Sequence, residues 1–364
     1  MDDELILLNP GPAGTSKRVR DALLRGDMCH REPEFTSLLN RIRENLPHGL
    51  GLGDTHESIV VTGSGTAAME MAVIGSVRAG RSALMVNNGV YGERMVKVAA
   101  AHGISVHEVA GSWNQPIDPE AVCAELAAHD DVDAVVCVQH ETTTGLMNPV
   151  AELGALVAKT AAVFVVDATS SLAIEDPQPA GISADIICGS ASKGLHGFPG
   201  VAFLLCSAKG LARIEAAPPR SVYLSPAAYL APQRKGEVPF TPAVQILYAL
   251  DEALAELAET GGPSARIQLY RERAALVRAQ FTRVGLSTLV DERHRSNSVT
   301  LLRLPLGVSY KALHAQLRHR GYVSYAAQGK LAADFFRICT LGEIPWHRLE
   351  ELEDALAASI SAAR

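Results

Sequence analysis

Between Glu57 and Ser207, short uninterrupted apolar runs alternate with longer stretches of helical periodicity. Ile59-Val60-Val61, Ala83-Leu-Met-Val86, Ser105 to Val109, Ala134-Val-Val-Cys-Val138, Val163-Phe-Val-Val166, Ile186-Ile-Cys188 and Ala202-Phe-Leu-Leu205 are each of strand length. Predicted helices separate them, over Ala67 to Val77, after Tyr91, over Asp118 to Ala128, and from Pro149 onward. Strands apolar on both faces need helices on both faces, so the pattern predicts an α/β fold around a mostly parallel sheet. In such sheets the loops at the carboxyl ends of the strands converge, and ligands gather there.

The texture changes after Lys209. A proline-rich segment (Pro218, Pro219, Pro226, Pro232) leads into Phe240-Thr-Pro242. A long helix is predicted from about Ala243 to Glu259, stopped by Gly261-Gly262-Pro263. A second helix should run from roughly Ser264 to Val284. The rest, with strands near Ser298 to Arg303 and Phe335 to Cys339, alternates less regularly and reads as a smaller α/β domain. The expected division is an N-terminal arm over 1–20, a large domain over 21–258 and a small domain over 259–364.

Composition narrows the function classes. The net charge is −7, without a long block of like charge, whereas a nucleic-acid binder presents a basic face. Apolar runs are strand-sized, too short to span a bilayer. The start, Met1-Asp-Asp-Glu, is acidic where a secretory leader is basic. The six cysteines form no CxxC pair, and Cys137, Cys188 and Cys206 sit inside apolar runs as small buried residues would. No metal site, nucleic-acid partner or membrane is expected, and a reduced cytoplasmic setting fits.

Three features at strand ends carry chemistry. Gly63-Ser64-Gly65-Thr66 joins a strand to a helix, offering backbone N–H groups and hydroxyls at a positive helix end, which suits a phosphate. It lacks the lysine of a P-loop and the glycine spacing of a dinucleotide fingerprint. Asp167 ends an apolar strand; it either caps the next turn or pairs with a cation such as a pyridinium nitrogen. Lys193 follows the next strand in Gly189-Ser-Ala-Ser-Lys-Gly194, among small and hydroxylic neighbours. A lysine desolvated there has a lowered pKa and supplies the neutral amine that Schiff-base chemistry needs. Together they form the kit of one phosphate-bearing cofactor, pyridoxal 5′-phosphate.

The sequence at this point resembles the class V aminotransferases, which share the aspartate-aminotransferase fold (fold type I of the pyridoxal-phosphate enzymes). The resemblance rests on Leu8-Asn-Pro-Gly-Pro12, Gly63-Ser-Gly-Thr66, Asn88-Gly-Val-Tyr-Gly92, His140-Glu-Thr-Thr-Thr-Gly145, Val166-Asp-Ala-Thr-Ser-Ser171, Ser190-Ala-Ser-Lys193, Pro239-Phe-Thr-Pro242 and Phe336-Arg-Ile338. It implies that Lys193 carries the cofactor as a Schiff base and moves the proton, while Asp167 pairs with the pyridinium. It also implies that Ser64, Gly65, Thr66 and Ser192 hold the phosphate, Tyr91 stacks on the ring and Thr143 lies near ring and substrate. Thr241 would reach the phosphate in a second copy, making a homodimer with shared sites. Arg337, with Gly11, Pro12 and Arg31, would contact the substrate. Arg31 is either an anion contact or a partner of Glu32 or Glu34 in the loop Cys29 to Phe35. His140 and Glu141 are assigned no catalytic step, and Cys339 stands where a smaller residue is expected.

The implied activity is a ping-pong transfer of an amino group from 2-aminoethylphosphonate or a close aminophosphonate to pyruvate, between a small-molecule amine donor and a keto acid. The alternative within the family is an alanine– or serine–glyoxylate pair. A cysteine desulfurase would place His directly before the lysine, where Ser192 stands. A Rossmann enzyme would need an acidic residue after the second strand, where Asn87-Asn88 stands.

Overall fold

The computed structural model describes residues 5–176 and 183–364; the acidic segment 1–4 lies outside them. The apolar runs become a seven-stranded sheet of β1 (Glu57–Gly63), β2 (Ser82–Asn87), β3 (Ser105–Ala110), β4 (Val132–Val138), β5 (Val163–Asp167), β6 (Ile186–Ser190) and β7 (Gly200–Cys206). Their order across the sheet is β1-β7-β6-β5-β4-β2-β3. Neighbours are parallel except at β7, which runs antiparallel to both β1 and β6. The chain therefore crosses from the β1 edge to β2, steps out to β3, returns to β4 and walks back. The reversal between β2 and β4 opens a crevice at the carboxyl edge, where ligands bind in open α/β sheets.

Burial explains the strand composition. Every residue of β4 and β5 is buried, and all but Asp133 and the strand-end Asp167 are apolar, whereas the edge strand β3 is buried only at Val109 and carries His107 and Glu108. One face, with Val60, Leu84, Val135 and Phe164, packs on Phe35, Leu38 and Ile42 of α1 (Pro33–Gly49). The other, with Ile59, Met85, Val136 and Val165, packs on Met69, Ala72 and Val73 of α2 (Gly65–Ser76), with α3 (Val90–Ala101) alongside. Each large apolar side chain so buried contributes about 1.5–3 kcal/mol.

The long helices α4 (Val244–Glu259) and α5 (Gly262–Arg283) fall within one or two residues of expectation. Gly261 makes the break between them, at φ +99°, where a Cβ would be strained. Two helices differ from the sequence reading. The stretch Cys29 to Phe35, read as a loop, enters α1 at Pro33, and the proline-rich tract contains a helix over Pro226–Gln233. Both begin on a proline, which a first turn tolerates because its N–H has no partner there.

A smaller antiparallel sheet, ordered β8 (Val299–Arg303), β10 (Phe335–Cys339), β9 (Tyr325–Ala326), covers a third core with Val277 and Phe281 of α5. The N-terminal segment belongs to this layer. Ile6–Leu7 pairs in parallel with Tyr322–Val323, and Ile6 and Leu8 are buried in the same core. From there the chain runs to the large sheet, where Ser16 caps a short helix over Lys17–Ala22 that packs Val19 on Ala249 and Ala253 of α4. Among the described residues no helix is long and apolar enough to cross a membrane.

Candidate active site

A cavity of about 140 Å³ opens at the carboxyl edge of the sheet and collects residues from the ends of β1, β4, β5 and β6 and from α3. Gly65 and Thr66 line it from the first turn of α2. Ser64 is the cap residue of that helix, yet its hydroxyl makes no capping bond and is exposed. The first N–H groups of α2 and the Ser64 and Thr66 hydroxyls thus form a cradle for an anion. A Cβ on Gly65 would come within 3.0 Å of Thr169, so the turn packs closely against the β5 loop only with glycine there. Ser190 and Ser192, 3.2 Å apart between hydroxyls, form the neighbouring wall.

Asp167 ends β5 inside the cavity wall. Its carboxylate is buried and accepts a hydrogen bond from the Thr169 N–H at 2.9 Å. Among the described residues no cation lies within ion-pair distance of it. Burial raises its pKa. A buried carboxylate without a counter-charge is costly, so the geometry suits a ligand that brings a cation to it.

Lys193 reaches the same cavity from the loop after β6. Burial pushes its pKa down to about 8; Cys339 and the Asp167 carboxylate oppose the drop, and the charges of Arg337 and Arg94 add to it. Its Nζ donates to the Pro10 carbonyl of the N-terminal segment. Gly11 lies against it at φ +118°, and a Cβ there would sit 2.5 Å from Nζ. Further ties fix the lysine loop, with Ala13 N–H donating to Ser192 O (2.8 Å) and Arg266 Nη1 to Gly194 O (3.0 Å). The Tyr270 hydroxyl of α5 shares a hydrogen bond with His196 Nε2 (2.7 Å) and accepts from the Gly342 N–H (3.0 Å), joining the lysine loop to the chain beyond β10.

Arg337 is buried in β10, 1% exposed. It donates to Thr142 O (3.0 Å) and Ala326 O (2.8 and 3.0 Å), all neutral carbonyls. No carboxylate pairs with it among the described residues, so its charge has no counter-ion, although it is not among the residues that line the cavity.

Seven of the residues the resemblance implies, namely Ser64, Gly11, Pro12, Arg31, Thr143, Thr241 and Arg337, are not among those that line this chain's cavity; for Thr241 that is the placement expected of a residue that serves a second copy. Thr143 is buried beneath the cavity, its hydroxyl donating to Glu141 Oε1 (2.6 Å) and accepting from Val90 N–H (3.2 Å); its neighbour Thr142 lines the cavity instead. Arg31 is exposed ahead of α1 and pairs with neither Glu32 nor Glu34. Thr241 is exposed in a separate hollow beside Tyr223 and Phe240, away from this chain's own cavity. Pro12, joined to Gly11 by a cis peptide bond, is not among the lining residues.

Other contributions were not legible from motifs. Glu141 is buried and receives the N–H groups of Tyr91 (3.1 Å) and Gly92 (3.3 Å), capping α3 and fixing Tyr91 in the cavity wall. Gly89 makes room, since a Cβ there would overlap the Glu141 side chain. Burial raises the Glu141 carboxyl to about 7. His140 also lines the cavity. Burial lowers it to about 4, so it is neutral, and Nδ1–H donates to Ser170 O (3.0 Å) while Nε2 is buried without a partner. An orphaned acceptor, an unpaired carboxylate and an open anion cradle in one cavity fit a phosphate-bearing, cationic, hydrogen-bonding ring. Cys339, the residue out of pattern, is buried and uses its N–H to hold Leu8 O (3.0 Å), so it fills the joint between arm and small sheet.

Comparison with known proteins agrees with this geometry. The aminotransferase class-V family model matches residues 17–318. The 2-aminoethylphosphonate–pyruvate transaminase of Salmonella schwarzengrund (strain CVM19633) is 34% identical over 349 residues, covering 93% of each chain. Among solved structures, the alanine–glyoxylate aminotransferase of Nostoc sp. superposes with a TM-score of 0.92 at 24% identity, over 98% of this chain and 95% of that one. The pyridoxamine–pyruvate aminotransferase of Mesorhizobium loti does so with 0.89 at 27%, over 99% and 93%. The fold is therefore that of the pyridoxal-phosphate-dependent aminotransferases, an α/β architecture with a mostly parallel central sheet. By sequence match over most of its length the chain belongs to the class V aminotransferases, and it is an aminotransferase.

Proposed function

We propose that this aminotransferase takes the amino group of 2-aminoethylphosphonate, or a close aminophosphonate, and delivers it to pyruvate, using pyridoxal phosphate. The observation that carries the reading is a buried Asp167 with no ion-pair partner and a depressed Lys193 in one cavity, with the charge of Arg337, which has no carboxylate partner, acting on that lysine. The relative from Salmonella, named for this substrate pair, supports the choice of donor and acceptor.

When bound, pyridoxal phosphate supplies a carbonyl for a primary amine and a ring that stabilises negative charge on the adjacent carbon. The chain's own residues do the rest. Ser64, Gly65, Thr66 and Ser192 would hold the phosphate, Asp167 would keep a positive charge on the ring nitrogen, and Tyr91 would offer its face to the ring. Lys193 Nζ, with its pKa drawn down to about 8, accepts a proton from the substrate carbon in its neutral form and returns it, as a general base then acid. Arg337 orients the anionic end of the substrate through its planar fork. One cationic site serves a phosphonate and then a carboxylate, so the first product leaves before the acceptor enters, a ping-pong order. Thr241, exposed and remote from its own cavity, serves the second copy in a homodimer. The six unpaired cysteines suit a reducing, cytoplasmic setting.

The test is to add 2-aminoethylphosphonate to the yellow holoenzyme freed of keto acids and follow the visible absorbance of the cofactor. Bleaching that pyruvate reverses is expected. Bleaching by alanine or serine alone, with glyoxylate as the acceptor, would assign the alternative pair.

A further inference from the structure

Helix α3 carries a cation that neither the strand-end motifs nor the family resemblance assigns. Arg94 lies one turn beyond Tyr91, so both side chains leave the helix on the same face. Its guanidinium carbon stands 4.6 Å from the centre of the Tyr91 ring, and Nη1 donates to Thr66 Oγ1 at 3.2 Å. Arg94 lines the candidate cavity, and no carboxylate pairs with it among the described residues. A guanidinium stays charged at any working pH and has five donors in a rigid fork. Here one donor is engaged, by a hydroxyl, and the ring supports the plane of the fork from one side.

The partner hydroxyl locates the anion. Thr66 is the second residue of α2, in the turn whose free N–H groups and positive dipole end face the cavity. Two sources of positive potential therefore converge on one point, the helix terminus from one element and Arg94 from another. Arg337 donates instead to carbonyls of Thr142 and Ala326, on the chain segments after β4 and in β9. The two arginines thus attend to different parts of the site. We propose that Arg94 binds the phosphate of the cofactor, closing the cradle made by the α2 terminus, and that the Tyr91 ring holds its fork in place. This rests on pyridoxal phosphate being the group bound. It assigns a binding role to Arg94 and, through that contact, a second role to Tyr91.

The test compares two forms of the same ring on the full-length protein, freed of cofactor by conversion to the amine form and dialysis. Pyridoxal 5′-phosphate and pyridoxal, which lacks the phosphate, are titrated in turn, following the colour formed with Lys193. In R94M, affinity for pyridoxal phosphate should fall about ten- to a hundredfold, the worth of a charge-assisted contact, while affinity for pyridoxal stays as in wild type. R94K, which keeps the charge without the fork, should fall between. Retained pyridoxal binding also reports an intact pocket. Equal losses for both ligands would overturn the inference, since Arg94 would then act only through the ring or the packing. So would unchanged binding of both, including a case in which only KM for the aminophosphonate rises. If wild type forms no colour with either ligand, the cofactor assignment itself fails, a result distinct from any of these.

Discussion

Lys193 offers the sharpest quantitative test of the site. Its amine is drawn from an ordinary 10.5 down to about 8, mainly by burial. At pH 8 a lysine of pKa 10.5 is neutral in about 0.3% of molecules, while one near 8 is neutral in about half, roughly a 150-fold gain in reactive amine. Only the neutral amine condenses with an aldehyde, so the gain should appear as rate. Cofactor-depleted protein mixed with pyridoxal phosphate over a pH series should develop colour at a rate that rises through a midpoint near 8. The same series in R337M separates two causes, since Arg337 also depresses the lysine but less than burial does. Most of the drop should therefore persist, with the midpoint moving up only modestly. A wild-type midpoint near 10.5 would refute the burial argument. A return to that value in R337M would show that charge, not desolvation, sets the lysine.

Further expectations follow from the same geometry. K193M removes an amine that the fold forces towards neutrality, so the cofactor-free variant should be more stable than wild type by about 1–3 kcal/mol at pH 7 in denaturant titrations. Because the folded pKa lies below the unfolded one, this difference should shrink as pH rises from about 8 through 10.5; a variant less stable than wild type would count against it. D167N keeps the shape but leaves a ring cation unopposed, and kcat should fall about 10²–10³-fold with circular dichroism unchanged. R337K trades a planar fork for a point charge, and KM for both donor and acceptor should rise about tenfold or more, against a smaller change in kcat. E141A uncaps α3 beneath Tyr91 and should cost about 0.5–2 kcal/mol of stability, read from the midpoint of chemical denaturation.

What the sequence revealed and what it hid divide along physical lines. Strands buried on both faces announce themselves as apolar runs, and residues at their ends inherit a known position, so Asp167, Lys193, Gly65 and Thr66 could be placed before any coordinates. The order of the strands could not, because the excursion to β3 and the reversal of β7 depend on how long crossovers pack. Arg94 is invisible for a different reason. On a half-exposed helix a charged residue reads as a solvated face, and only the arrival of Thr66 from another element gives it a role. The threonine run 142–144 could not say which hydroxyl faces the cavity; the buried Glu141 decides it by engaging Thr143. Glu141 itself looked structural in sequence, and its work, capping the helix that carries Tyr91, needs the chain to turn back on itself.

The contact between the N-terminal segment and the lysine has a consequence in time. Pro10 holds the Lys193 amine, yet the strand just before it, Ile6–Leu7, finds its partner only at Tyr322–Val323, more than three hundred residues downstream. At about 5–20 residues per second, a ribosome takes roughly 15–60 s to supply that partner. The first part of the chain to be made is thus among the last to settle. The contact between Pro10 and the Lys193 amine thus gains the support of its neighbouring strand pairing only when nearly the whole polypeptide has been synthesised.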